Sequence, residues 1–90
     1  MTHDQVVAVV IKHLVRSIDD LKPENIDIMK SMKDYGANSL DIVEVVSASM
    51  REIKVKVPRA DLSSITNIDG LATLLLKVWT EKQSVAAGGT

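Results

Sequence analysis

The chain has 90 residues, a length that predicts one domain built around one small core. Apolar residues make up 46% of it, but there is no Phe and only one Tyr and one Trp, so we expect an aliphatic core. A net charge of -1 excludes the strongly basic footprint of a nucleic-acid-binding protein, and the absence of Cys excludes disulfides, thiol nucleophiles and thiolate metal sites.

The sequence also argues against a membrane protein or an exported one. No apolar run approaches the ~20 residues that a membrane-spanning helix needs. The start, Met1-Thr2-His3-Asp4, lacks the basic residues and the apolar centre of a signal peptide. We therefore expect a cytoplasmic protein without a membrane partner.

The first predicted helix covers residues 3–17. Thr2 and Gln5 have the spacing of a capping box, and apolar residues then recur at intervals of three and four. We expect both His3, near the start, and His13, on the outer face, to be solvated. Neither would then serve as the base of a serine triad. The predicted core face consists of Val7, Val10, Ile11, Leu14 and Ile18, flanked by Val6 and Val15.

Residues 18–38 are predicted to form a long connection, because Pro23 stops a helix and Gly36 favours a turn. A loop of this length in a small domain is usually pinned to the core or functional. The residues expected to pin it are apolar or aromatic: Ile26, Ile28, Met29, Met32 and Tyr35.

The second predicted helix covers residues 39–53 and begins at the candidate functional residue. Asn38 is a good N-cap, which places Ser39 at the first helical position beside the exposed N–H groups of the helix start. A phosphate ester on Ser39 would be stabilised there. Ser39 does not fit a hydrolase nucleophile elbow, since Ala37 and Asp41 stand where Gly is needed.

A metal site is not predicted at this helix start. A calcium loop beginning at Asp34 would need Gly at its sixth position and Glu at its twelfth, where the chain has Ser39 and Val45.

The same helix is predicted to have a core face and a docking surface. The core face consists of Ile42, Val45, Val46, Ser49 and Ile53. Asp41 and Glu44, three residues apart, could be an acid and base pair, a solvated acidic face, or an acidic surface for basic partners. The residues expected to dock partner enzymes are Leu40, Asp41, Val43, Glu44, Met50 and Arg51. A basic cluster of Lys54, Lys56 and Arg59 follows the helix.

The remainder of the chain predicts a single helical turn over residues 59–63 and a last helix over residues 67–81, starting from a cap signal at Asn67. Residues 83–90 are small and polar and are expected to be a disordered tail, leaving a domain of residues 1–82. The predicted fold is all-α: a small, monomeric four-helix bundle with three long helices, one short helix and a long first loop.

The segment Gly36-Ala37-Asn38-Ser39-Leu40-Asp41, followed by Ile42 to Val46, resembles the phosphopantetheine attachment motif of acyl carrier proteins. Asn38 stands where the family usually has Asp. The resemblance extends from Val6 to Trp79 in the family's helix order. It implies that Ser39 receives 4'-phosphopantetheine from a phosphopantetheinyl transferase, that the arm bears an acyl thioester, and that the protein is not itself an enzyme.

The longer stretch from Asp34 to Val46, continued by Met50 to Arg59, resembles the free-standing donor acyl carrier proteins of polyketide β-branching cassettes. Such a donor holds an acetyl group made by decarboxylating malonyl. The resemblance implies three partners: an acyltransferase, a decarboxylating ketosynthase-like enzyme and an HMG-CoA synthase-like enzyme, which joins the acetyl group to a chain on another carrier. The alternatives are a fatty-acid or other free-standing polyketide carrier, and an unmodified helical adaptor that binds through Leu40, Val43 and Met50.

Overall fold

A computed structural model describes the backbone of residues 1–88 and their side chains, except those of Arg59 and residues 83–88. The described residues form four α-helices: α1 (His3–Ser17), α2 (Ser39–Ile53), the short α3 (Arg59–Leu62) and α4 (Ile68–Gly88). The predicted all-α fold of three long helices and one short helix is confirmed, and α1 and α2 have the predicted bounds. None of the described helices is long and apolar enough to cross a membrane.

The end of α4 lies beyond the predicted one. This helix continues to Gly88, whereas apolar periodicity predicts an end near residue 81. The disordered tail over residues 83–90 stays a prediction, and its last two residues lie outside the described part of the chain.

Helix α1 begins at the predicted capping box and packs against both α2 and α4. The Thr2 hydroxyl accepts the Gln5 N–H, and the Gln5 side chain accepts the Thr2 N–H in return. The fully buried residues are Val6, Val10 and Leu14. The predicted core face is confirmed at Val10 and Leu14. It is shifted towards Val6, which was predicted only to flank it, because Val7 and Ile11 are only partly buried. Apolar residues lie on several faces of this helix, so their spacing alone does not determine which face is buried.

Helices α2 and α4 contribute the rest of the core. On α2, Val45, Val46, Ser49 and Ile53 are buried, as predicted, and Ile42 is partly buried. On α4 the buried residues are Ile68, Leu71, Ala72 and Leu75. The core of the described residues is thus aliphatic, with the rings of Tyr35 and Trp79 packed at its margin.

The long connection between α1 and α2 is pinned by the start of α4. The N–H of Ile68 donates to the carbonyl of Lys30 at 3.1 Å, and the N–H of Asp69 donates to the carbonyl of Ile28 at 2.8 Å. These bonds satisfy donors that a helix start otherwise leaves free. The connection also contains two short 3₁₀ turns that were not predicted, Pro23–Asn25 and Met32–Tyr35.

Side chains pin this connection as well, with one exception to the prediction. Met32 is buried, and the Tyr35 hydroxyl hydrogen-bonds the backbone of Asp27. Met29 is instead 65% exposed, so its predicted anchoring role is wrong. Met29 lies inside the turn that Lys30 closes by donating its N–H to the carbonyl of Asp27.

Candidate functional site

The start of α2 is held by reciprocal hydrogen bonds between Asn38 and Asp41. Asn38 Oδ1 accepts the Asp41 N–H at 2.8 Å, as the predicted N-cap requires, and Asp41 Oδ2 accepts the Asn38 N–H at 3.1 Å. This second bond completes a capping box and was not predicted. The spacing Asn-x-x-Asp could have revealed it, since it is the capping-box pattern with shorter side chains.

The loop that leads into α2 is equally well defined. Gly36 has a φ of +92° and closes the preceding 3₁₀ turn by donating its N–H to Lys33. Only glycine adopts this left-handed conformation at little cost. Ala37 is then buried, which fixes the direction in which Asn38 and Ser39 leave the core.

Ser39 is the first residue of α2, and its side chain is exposed. Among the described residues, the N–H groups of Ser39 and Leu40 have no hydrogen-bond acceptor, since Asn38 caps Asp41 only. Two free N–H groups and the positive end of the helix dipole therefore lie next to an accessible hydroxyl. This arrangement fits a phosphate ester on Ser39.

The predicted docking residues fall into two groups. Leu40 is 80% exposed and Val43 55% exposed, and with the exposed Glu44 they form a surface within the first two turns beside Ser39. Asp41 is only partly exposed and is engaged in the capping box. Met50 and Arg51 lie eleven and twelve residues beyond Ser39, or about 17–18 Å along the helix at ~1.5 Å per residue. The structure therefore does not bring them to the same patch.

A cavity of about 800 Å³ opens along the side of α2 that faces α3. Its α2 wall includes Ile42 and Val43, which begin one turn after Ser39, and continues to Met50. Leu62 and Leu71 contribute apolar side chains from the opposite side, while Ser, Thr and Asn side chains add polar groups. The cavity thus begins about one helical turn from Ser39.

The two histidines lie on α1 and take no part in the site. His13 is only 14% exposed, and its Nε2 lies 2.9 Å from Glu52 Oε1. The expectation that His13 is solvated is thus wrong, because its side chain is mostly buried and its Nε2 is paired with Glu52 of α2. His3 Nε2 lies 2.8 Å from Asp69 Oδ1 at the start of α4. Both histidines therefore connect helices, and in the described residues no three His, Asp or Glu side chains form a metal site.

Comparison with known proteins assigns the family. The family model described as "Phosphopantetheine attachment site" matches residues 9–75 of the chain. The chain therefore belongs to the phosphopantetheine-binding family of acyl carrier proteins, whose members carry acyl groups and are not themselves enzymes. Membership implies a phosphopantetheinyl transferase and acyl-processing enzymes as partners, and it argues against the alternative of an unmodified adaptor.

Individual relatives cover most of the chain. The "Acyl carrier protein" of Campylobacter jejuni subsp. jejuni serotype O:23/36 (strain 81-176) is 32% identical over 74 residues, which are 82% of this chain and 91% of the relative. The "Acyl carrier protein" of Helicobacter hepaticus is 30% identical over 67 residues, covering 74% of this chain and 83% of the relative. The "Polyketide biosynthesis acyl-carrier-protein AcpK" of Bacillus subtilis (strain 168) is 25% identical over 75 residues, covering 83% of this chain and 92% of the relative. No solved structure matches the chain significantly.

Proposed function

We propose that Ser39 is the attachment residue for 4'-phosphopantetheine. The observation that carries this proposal is an exposed hydroxyl at the first position of α2, beside two N–H groups for which the described residues provide no acceptor. A phosphate esterified to that hydroxyl would accept hydrogen bonds from these N–H groups and would be stabilised by the helix dipole. When bound, the arm supplies a terminal thiol for the acyl thioester, and the protein anchors and presents it.

The other described serines lack this setting. Ser17, Ser31 and Ser47 are partly buried, and Ser49 is fully buried. The hydroxyls of Ser63 and Ser64 donate to the carbonyls of Ala60 and Asp61 at the end of α3. None of these serines begins a long helix, so the N–H groups that would receive a phosphate are missing.

Intact-mass measurement after co-expression with a phosphopantetheinyl transferase tests the assignment. The wild type should gain the mass of the arm, and Ser39→Ala should gain nothing. Ser64→Ala is the matched control, because it removes an exposed serine hydroxyl elsewhere and should leave the gain intact. Modification that persists in Ser39→Ala would refute the assignment.

We further propose that the protein is the acetyl and malonyl donor of a polyketide β-branching cassette, acting in the cytoplasm. Two observations support this role. The segments of residues 34–46 and 50–59 resemble those donors, and a Bacillus subtilis relative that covers most of the chain is named a polyketide biosynthesis carrier. The partners would then be an acyltransferase, a decarboxylating ketosynthase-like enzyme and an HMG-CoA synthase-like enzyme.

A second candidate is a general carrier for fatty-acid synthesis. The identity of 32% to the Campylobacter jejuni acyl carrier protein, higher than the 25% to the polyketide carrier, favours it. To separate the two, malonyl-loaded protein is mixed with the ketosynthase-like and synthase-like enzymes and an acetoacetyl-loaded acceptor carrier. A donor gives up its acetyl group, whose methyl carbon bonds to the ketone carbon of the acetoacetyl group, and water releases the acetyl thioester as a carboxylate. The acceptor then carries a 3-hydroxy-3-methylglutaryl chain and is heavier by the mass of one acetic acid. Chain elongation by fatty-acid enzymes without that product would support the second candidate instead.

We also propose that Leu40, Val43 and Glu44 dock the enzymes that act on the arm. Two large apolar side chains at 80% and 55% exposure lie beside an exposed carboxylate, within two turns of Ser39. Such a surface offers apolar contact at its centre and electrostatic steering at its edge. Asp41 contributes charge from its capping position, whereas Met50 and Arg51 would contact only a partner that extends along α2.

A further inference from the structure

A basic groove lies at the far end of α2 from Ser39, between the end of that helix and α4. Its walls carry four cationic side chains, and its floor carries three apolar ones, enclosing about 560 Å³. The cations of this basic groove are Arg51, Lys54, Lys56 and Lys82, and its apolar side chains are Met50, Val55 and Val78.

Local backbone structure creates the groove. Lys54 ends α2 in a left-handed conformation, with a φ of +64°, and turns the chain away from the helix axis. Lys54 itself is exposed. In the segment that follows it, Val55 and Val57 are buried while Lys56 is exposed. Lys82 Nζ donates to the Lys54 carbonyl at 2.6 Å and so fixes one wall on α4 to the other on α2.

The positive charge of the groove is not neutralised within the described part of the chain. None of the four cations has a carboxylate within ion-pair distance among the described side chains. Glu52, the carboxylate next to Arg51, is engaged by Lys12 and His13 of α1. A chain with a net charge of -1 thus concentrates positive charge at one end of α2 and exposes Glu44 near the other.

We propose that the basic groove is a second docking site, which takes an acidic segment of a partner protein with one large apolar side chain among its carboxylates. The carboxylates would pair with the cations, and the apolar side chain would lie on Met50, Val55 and Val78. Single-stranded nucleic acid fits less well, because the described lining has no aromatic side chain on which bases stack. A membrane surface fits less well, because no large exposed apolar side chain projects from the described lining of the groove.

The basic groove is spatially separate from the start of α2. Lys54 follows Ser39 by fifteen residues, or about 22 Å at ~1.5 Å per residue. An acidic segment could therefore hold the carrier on one partner while the residues beside Ser39 engage an enzyme. This proposal is independent of modification at Ser39, so it can be tested on protein without the arm.

The test is an NMR titration of the full chain with a synthetic peptide that has one central Leu flanked by Glu residues. The amide resonances of residues 50–56 and 78–82 should shift, and those of residues 39–44 should not. The double variant R51E/K56E should bind about tenfold more weakly, because two attractive charges become repulsive. Lys77→Glu, an exposed charge reversal on α4 outside the groove, should bind like the wild type.

Three further binding measurements complete the test. A peptide with Ser in place of the central Leu should bind more weakly, which distinguishes a groove with an apolar floor from a merely charged surface. Phosphatidylglycerol vesicles and single-stranded RNA should bind more weakly than the Leu peptide. No shift with the Leu peptide, an unchanged affinity in R51E/K56E, or tighter binding of vesicles or RNA would overturn the proposal.

Discussion

His13 and Glu52 join the C-terminal half of α1 to the last turn of α2, with His13 Nε2 lying 2.9 Å from Glu52 Oε1. Lys12 Nζ lies 2.6 Å from the same oxygen. The hydrogen bond from Lys12, and after it the one from His13, lowers the pKa of Glu52 below its usual value of 4.5. The carboxylate is thus favoured in the folded state over the unfolded one.

This shift predicts how stability depends on pH. Because the folded-state pKa is the lower one, Glu52 contributes stability above pH 4.5 and loses that contribution as the pH falls through the folded-state pKa. We expect Glu52→Gln to be less stable than the wild type near neutral pH and to approach it under acidic conditions. Urea melts across this range measure the effect. Glu24→Gln, an exposed Glu without an ion pair among the described side chains, is the control, and equal pH profiles for all three proteins would contradict the prediction.

Truncation of Ile53 should destabilise the fold strongly. Its side chain is 4% exposed in the last turn of α2, so Ile53→Ala removes buried methyl groups and leaves a cavity. The expected loss is about 2–5 kcal/mol of unfolding free energy. Ser39→Ala, on the exposed end of the same helix, should change it by less than about 1 kcal/mol. Chemical denaturation of both variants provides the comparison, and a wild-type stability for Ile53→Ala would show that the core face of α2 is misassigned.

Ser49 should be replaceable by Ala without loss of stability. The residue is fully buried in α2, and its Oγ has no hydrogen-bond partner among the described residues. Removing an unpaired buried hydroxyl relieves a desolvation penalty, and Ala also favours the helix. We expect Ser49→Ala to gain up to about 1–2 kcal/mol. Ser47→Ala, on the same helix but partly exposed, isolates the helix-propensity part, so an equal gain in both would refute a burial penalty at Ser49.

Charge at Glu44 should affect the rate of acyl transfer in a salt-dependent way. A charge at the edge of an interface acts mainly on association, and its influence falls as salt screens it. Glu44→Lys should therefore slow transfer by the cognate enzyme about threefold or more at low salt, and less at high salt. Steady-state assays at two salt concentrations measure this, with the exposed Glu24→Lys as the control for net charge.

Truncation of Leu40, in the apolar part of the same surface, should slow acyl transfer to an extent that does not depend on salt. Leu40→Ala removes contact area from a side chain that is 80% exposed in the free protein, so it should weaken transfer about equally at both salt concentrations. If neither Leu40→Ala nor Glu44→Lys changes the rate, the start of α2 is not the docking surface.

The starts of α1 and α2 were more predictable from the sequence than the packing of the helices. Thr2 and Asn38 act on donors within three residues of themselves, so the starts of α1 and α2 follow from local chemistry. The partner of His13 is 39 residues away in the chain, and it is known only once α1 and α2 are packed together. The buried face of α1 was predicted only in part for a related reason, since several faces of this helix are apolar and only contact with α4 and α2 selects one.

The same difference between local contacts and contacts distant in sequence applies to the candidate site and the basic groove. The position of Ser39 depends on its neighbours Gly36, Ala37 and Asn38, and it could therefore be predicted. The basic groove could not, because Lys82 closes it from another helix by binding the carbonyl of Lys54. From the sequence alone, Lys54 and Lys56 form a basic cluster with Arg59 instead.

The bonds from Ile68 and Asp69 to the carbonyls of Lys30 and Ile28 make two amide protons of α4 into reporters on another part of the molecule. Their acceptors belong to the connection that leads to Ser39, so these protons exchange with solvent only when that connection detaches or α4 opens. Hydrogen exchange at Ile68 and Asp69 thus measures how often the segment before α2 detaches or the start of α4 opens. A partner that binds this segment would slow amide exchange at both positions without contacting α4.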